Sequence, residues 1–283
     1  MFNHGLKNKK ELEGHARDIR VSIIEMLAAA GSGHTGGSLG MTDVFTYLYF
    51  HFLRHDVKNP KWEMRDRLVL SNGHICPVLY ATLAHAGYFP IPELLTLRKF
   101  GSRLQGHPHR HFFPIAETSS GPLGEGLSQT IGMAIAGRMD AHLKGETDGR
   151  RYVCLMGDGE LNEGQNWEAF MLAGREKLSN LIVVIDRNDI QIDGFTHDIM
   201  PLEPLHHKLD AFNWHVIGAN GNDFDSINDA FTKATKVGDR PVVIIAKTIP
   251  GKGVREFEGK FEWHGKAPTK EQVEPAIREI KAH

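Results

Sequence analysis

The stretch from Arg151 to Gly194 constrains the fold more than any other part of the chain, because it reads as strand, loop, helix, strand within one supersecondary unit. Tyr152–Met156 and Leu181–Ile185 are short apolar runs rich in β-branched residues, and the segment between them has helical length. Strands joined in this way pair in parallel through a right-handed crossover. Both then deliver their carboxyl ends to one edge of a sheet, where open α/β folds bind ligands. Asp158 and Asn188 follow those ends and are expected side by side. Gly157 and Gly159 flank Asp158, so the backbone can turn sharply and a ligand can approach closely. A carboxylate and an amide oxygen are hard donors that suit Mg²⁺ or Ca²⁺, and Mg²⁺ completes its octahedron with phosphate oxygens and water. The pair is therefore a candidate for a metal-bridged diphosphate. Two other phosphate loops are excluded. No Gly-Lys-Ser/Thr is present for a Walker loop, and Asn162 stands where a dinucleotide-binding Gly-x-Gly-x-x-Gly needs its last glycine.

The 283 residues suffice for one large α/β domain or two small ones. With 33 basic and 35 acidic residues and a formal charge of −2, the chain has no general attraction for nucleic acid or an anionic membrane. No apolar run reaches the length of a membrane span, and a cytoplasmic location is the default expectation. Cys76 and Cys154 are the only cysteines and have no metal or redox spacing, so two ordinary buried thiols are expected. The 17 histidines are more informative, since several lie beside glycines.

Along the chain, Leu12 to Ala30 carries apolar residues at helical spacing. The glycine-dense Gly31–Gly40 segment is expected to be irregular, presenting His34 from a constrained turn. A second helix follows over about Thr42 to Phe52, with Thr42 or Asp43 near its cap. Arg67 to Ser71 reads as a strand whose end carries Asn72-Gly73-His74, ahead of a helix from about Pro77 to Ala86. The loop from Phe100 to Pro114 holds His107, His109 and His111; His109 and His111 read as solvated loop, and structural zinc spacing is missing. Gly121-Pro122-Leu123-Gly124 opens a helix over about Leu127 to Lys144, whose first amides can meet polar ligand atoms. His215–Ile217 and Pro241–Lys247 read as further strands around a helix near Phe224 to Lys236, which keeps the sheet parallel. Pro250 to Pro268 is irregular but aromatic enough to dock, and Lys270 to Ala282 reads as a final helix. Without a repeat or linker, one domain over residues 1–283 is expected: an α/β fold with a mostly parallel sheet flanked by helices on both faces.

Taken in order, Ser32-Gly33-His34, Ser71-Asn72-Gly73-His74, Gly106-His107-Pro108, Gly121-Pro122-Leu123, the Gly157–Gly164 segment with Asn188, and Trp263-His264-Gly265 resemble the amino-terminal, diphosphate-binding part of transketolases. The resemblance covers nearly the whole chain. It implies thiamine diphosphate as cofactor and a metal, Mg²⁺ with Ca²⁺ or Mn²⁺ as substitutes, held by Asp158, Asn188 and the main-chain oxygen of Ile190. It places Gly159 near the diphosphate, Gly121, Pro122 and Leu123 around the aminopyrimidine, and Ile192 against the thiazolium. His34, His74, His107 and His264 are implied to line the cofactor and substrate channel: His107 on donor hydroxyls, His34 and His264 moving the hydroxyl proton. Imidazole suits that work, since it can donate and accept near neutral pH. Glu163 is implied in a proton relay. The family transfers a two-carbon ketol unit between sugar phosphates, and its pyrimidine-binding and carboxyl-terminal domains have no counterpart here. Because the chain begins and ends at helices, a natural subunit of a split transketolase is expected, with a carboxyl-terminal partner and a two-plus-two heterotetramer. A 2-oxo acid dehydrogenase α subunit or a deoxyxylulose phosphate synthase shares Gly-Asp-Gly but explains the histidine loops less well. The remaining alternatives are a nicotinamide dehydrogenase and a noncatalytic interaction subunit.

Overall fold

The computed structural model describes residues 8–282. Helix α1 (Lys9–Ala30) opens on a capping box in which Asn8 and Glu11 each accept the other's backbone N–H at 3.0 Å, and it stops at Gly31 with φ 65°. After it come α2 (Thr35–Gly40), α3 (Thr42–Tyr47), β1 (Arg67–Leu70), α4 (Cys76–His85) and α5 (Glu125–Leu143). The central unit is β2 (Tyr152–Gly157), α6 (Gly164–Glu176) and β3 (Leu181–Arg187), as its apolar pattern predicts. A hairpin of β4 (Ile190–Gln191) and β5 (Gly194–Phe195) leads into α7 (Thr196–Ile199) and α8 (Leu205–Ala211). The chain continues through β6 (His215–Asn220), α9 (Phe224–Ala234), β7 (Val242–Lys247) and α10 (Lys270–Ala282).

Five strands form one parallel sheet in the order β1-β2-β3-β7-β6. Side chains alternate between its faces. Tyr152, Cys154 and Met156 of β2, with Leu181, Val183 and Ile185 of β3, pack under α5, α6 and α8 around the buried Trp214. Val153, Leu155, Ile182 and Val184 face the opposite way, into a larger core built from α1, α3, α4, α9 and α10. Helices thus cover both faces, which is why the central strands are apolar throughout. The α6 crossover runs on one face and the α9 crossover on the other, so the connections change face between the neighbours β3 and β7. Ligands of open α/β sheets sit at such a point. Cys76 and Cys154 are both free and buried, as expected. Among the described residues, no helix is long and apolar enough to cross a membrane.

The glycine-dense segment departs from expectation. It is irregular only to His34, after which Thr35–Gly40 is helical. Its glycines serve close packing: a Cβ on Gly36 would lie 3.1 Å from the Trp263 carbonyl oxygen, and one on Gly40 3.0 Å from that of Ile249. Burial against two backbones outweighs the weak helix propensity of glycine. Neither Thr42 nor Asp43 caps α3: the Thr42 hydroxyl donates to the Ser38 carbonyl at 2.9 Å, and Asp43 pairs with Arg20 at 2.7 Å. The expected helix to Phe52 is there, but its last turn, Leu48–Phe52, widens to a π-helix.

Candidate functional site

Residues Gly157 and Asp186 are register partners on β2 and β3, so the turns after these strands leave the sheet together. Asp158 is buried. Its Oδ2 accepts from the Asp189 N–H at 2.8 Å and from Arg187 Nη1 at 2.9 Å, while Oδ1 accepts from the Gly159 N–H at 2.8 Å. Burial pushes its carboxyl above the ordinary range, against those hydrogen bonds. Asn188 donates through Nδ2 to Asp186 Oδ2 at 2.8 Å, and its Oδ1 accepts from the Ile190 N–H at 3.1 Å. Asp186 also accepts from the Thr248 hydroxyl beyond the end of β7, and burial raises it to about 7.

A further carboxylate, Glu160, was not singled out from the sequence. It is buried, and among the described residues no cation pairs with it. Oε1 accepts from the Ser71 hydroxyl and from the Gly124 N–H at 2.8 Å, and Oε2 from the Gly157 N–H at 3.1 Å. It therefore joins the end of β1, the start of α5 and the end of β2. Glu163, by contrast, is exposed at the start of α6.

Above this edge four histidines from distant parts of the chain meet. Ring centroids are 5.0 Å apart for His34 and His74, 5.1 Å for His74 and His264, 5.6 Å for His34 and His264, and 6.5 Å for His34 and His107. Burial lowers His34 to about 4, with help from His264, Arg98 and His107, and lowers His74 and His264 too; the more exposed His107 is lowered by its partial burial and by Arg98. His109 and His111 are exposed and cluster with Phe112 instead. Gly121, at φ 155°, lies against His107: a Cβ there would come 3.8 Å from the ring. The next two residues are Pro122, exposed, and Leu123, whose carbonyl accepts from Gln165 Nε2 at 3.2 Å. Ile192 projects from the β4–β5 turn and is 72% exposed.

Among the described residues, several buried polar atoms in this region have no hydrogen-bond partner: Nδ1 of His34, both amide atoms of Asn72, Oγ of Ser120 and Nε2 of Gln191. Native folds seldom leave such groups unmatched. A Cβ on Gly159 would lie 3.2 Å from that of Gln191, so the glycine keeps the turn after β2 close to the β4–β5 hairpin. Unpaired donors and acceptors beside the hard oxygen donors of Asp158 and Asn188 fit a polyanionic cofactor with a divalent ion. Among the described residues, no three His, Cys, Asp or Glu side chains gather as a metal-holding group. A site using one carboxylate, one amide and one carbonyl is of another kind.

Comparison with known proteins gives the same picture. Residues 13–281 match the family model described as transketolase, thiamine diphosphate binding domain. The chain is 42% identical over 271 residues to the 6-deoxy-6-sulfo-D-fructose transketolase subunit SqwG of Clostridium sp. (strain MSTE9), covering 96% of each. It is 40% identical to one subunit of the apulose-4-phosphate transketolase of Phocaeicola vulgatus, covering 95% of this chain and 93% of that one. The solved transketolase of Leishmania mexicana superposes with a TM-score of 0.89 at 34% identity, covering 98% of this chain but only 41% of that protein. The strand-end turns, the histidine cluster and these matches together establish that the chain belongs to the transketolase family and carries its thiamine diphosphate-binding domain.

Proposed function

We propose that this chain, acting as one domain over residues 1–283, is the diphosphate-binding subunit of a two-subunit transketolase that moves a two-carbon ketol unit from a ketose phosphate to an aldose phosphate. One observation carries the reading: the Asp158 and Asn188 oxygen donors share a sheet edge with a cluster of four imidazoles. Asp158, Asn188 and the main-chain oxygen of Ile190 hold Mg²⁺, for which Ca²⁺ or Mn²⁺ can substitute, and Gly159 lets the diphosphate approach the turn. Asn72 and Gln191 offer their unpaired polar atoms to the same region. Thiamine diphosphate, when bound, supplies the nucleophilic carbon that opens and remakes the carbon–carbon bond.

The remaining work falls to side chains of this chain. Gly121, Pro122 and Leu123 cradle the aminopyrimidine, and Ile192 supports the thiazolium. His107 holds donor hydroxyls. His34 and His264, kept unprotonated by burial, accept the proton of the reacting hydroxyl and return it, and His74 borders both the diphosphate and the substrate. Glu163 joins a proton relay that continues into the partner.

The partner is a carboxyl-terminal subunit bringing the pyrimidine-binding domain, in a cytoplasmic heterotetramer with two copies of each chain. This is supported by the two relatives named as transketolase subunits, which match this chain in length, and by the Leishmania transketolase, of which it spans 41%. The sugars in the names of those relatives, 6-deoxy-6-sulfo-D-fructose and apulose 4-phosphate, set the range of sugars to assay. The test is ketol transfer by the purified chain, by its partner, and by the mixture with thiamine diphosphate and Mg²⁺. Turnover is expected from the mixture alone. Full turnover by the single chain would overturn the two-subunit reading, and none from the mixture with any ketose would overturn the activity.

A further inference from the structure

A cavity of about 310 Å³ opens between α1, the start of α9, the end of α10 and residues 252–258, and shares no residue with the cofactor edge or the histidine cluster. Ligand cavities begin at roughly this size, about 300 Å³. Arg17 and Arg20, one turn apart on α1, border it from the same face. Arg20 donates from both terminal nitrogens to Asp43, Nη1 to Oδ1 at 3.0 Å and Nη2 to Oδ2 at 2.7 Å. Its Nε is left over, buried without an acceptor. Arg17 is half-buried, and its Nε is likewise buried and unmatched. Gly253 lays its backbone against this wall, where a Cβ would come 3.5 Å from Arg20 Cδ.

The inner carboxylates of the cavity are already engaged. Asp43 also accepts from Asn222 Nδ2 at 2.9 Å, Asp223 pairs with Lys9 at 3.4 Å, and Glu258 pairs with Lys252 at 3.7 Å and accepts from the Gly253 N–H at 2.9 Å. Glu13 stands at the exposed rim one turn before Arg17, and among the described residues the two do not pair. What the interior lacks is an acceptor for two guanidinium N–H groups, and native folds seldom leave buried donors unmatched. Acidic and basic side chains border the cavity in equal number. That balance favours a ligand with one negative charge over a phosphate dianion, which the neighbouring carboxylates repel. A planar guanidinium matches the two oxygens of a carboxylate.

We propose that this cavity binds a small monocarboxylate, its oxygens meeting Arg17 and the Nε–H of Arg20, and that the occupant braces the segment carrying His264. Lys252, Gly253 and Glu258 belong to that segment, whose Gly251 N–H donates to the Gly36 carbonyl of α2 at 2.8 Å. A ligand held only by the closed segment opposes its local opening. Binding is independent of ketol transfer, so it is measured on the purified full chain. Calorimetric titrations use lactate, its uncharged amide lactamide, and inorganic phosphate, in wild type, Arg17→Gln and Arg17→Lys. Lactate is expected to bind wild type, with lactamide at least about tenfold weaker; Arg17→Gln loses at least about tenfold in lactate affinity, and Arg17→Lys falls between. Hydrogen–deuterium exchange over residues 250–264 is expected to slow with lactate in wild type and not in Arg17→Gln. Urea midpoints without lactate report that the variants are folded. No lactate binding by wild type overturns the proposal, since water or Glu13 then satisfies the arginines. Equal affinity in Arg17→Gln overturns it by placing the carboxylate elsewhere, and tighter binding of phosphate than of lactate overturns the choice of a monocarboxylate. Binding that leaves exchange over residues 250–264 unchanged overturns the bracing.

Discussion

Asp158 is a carboxylate that the fold has already buried, and burial raises its proton affinity despite Arg187 beside it. Its ionised form gains most when a second, divalent charge arrives. Asp158→Ala is therefore expected to abolish Mg²⁺-dependent thiamine diphosphate binding in the assembled enzyme, and Asn188→Ala to come close. Calorimetry at varied Mg²⁺ checks both, and an unaltered Mg²⁺ requirement in either variant would show that the metal lies elsewhere. His34 makes a prediction about pH. Its folded value, about 4, lies below the ordinary 6.5, so the unfolded chain binds the proton first. Its contribution to stability is complete above pH 6.5 and is lost as pH falls towards 4. Urea unfolding midpoints should fall over that window, and less steeply in His34→Gln. Superimposable profiles would mean that burial at His34 has no part in acid sensitivity. Asp158 and Asn188 were readable because each follows an apolar strand. Glu160 was not, because a carboxylate satisfied by a hydroxyl and two backbone amides leaves no partner charge to notice in the sequence.

Among the elements, α2 is the instructive case. Local rules weigh Thr35–Gly40 as loop, since each glycine costs a helix roughly 1 kcal/mol relative to alanine. Contact decides otherwise, because only hydrogen at positions 36 and 40 lets the helix touch the backbones of Trp263 and Ile249. Gly36→Val should destabilise by about 1–3 kcal/mol through overpacking. It should also loosen the segment from Pro250 to Pro268, exposing it to protease. Gly36→Ala is the finer probe: a rise in the urea midpoint would reveal slack at the contact and sink this account of α2. The strands and long helices were legible because period 2 and period 3.6 survive in single sequences. The β4–β5 hairpin and the π-helical end of α3 were not, being set by neighbours far along the chain. Meeting of the four histidines was likewise invisible to spacing. It came only from the resemblance, and the folded loops supply the ring distances.

At the scale of the whole molecule, apolar side chains remain in the open on α5 and α6: Met139 is 59% exposed, Leu143 84%, Met171 49% and Leu172 43%. Grouped exposure of this kind marks surfaces that associate. Sedimentation of the mixture is expected to show two copies of this chain with two of its partner, and Met139→Lys to weaken that assembly while shifting the unfolding free energy by less than about 0.5 kcal/mol. Assembly unaffected by Met139→Lys would remove this face from the interface. The Glu160 carboxylate has a consequence of its own. The Gly126 N–H donates to the Ser71 oxygen at 3.1 Å, and that hydroxyl donates to Glu160, which also holds the Gly124 and Gly157 amides. Three turns therefore share one anchor and cannot be released singly. In hydrogen–deuterium exchange their amides should open with one common free energy, so that the cofactor edge is gained or lost as a single latch rather than residue by residue.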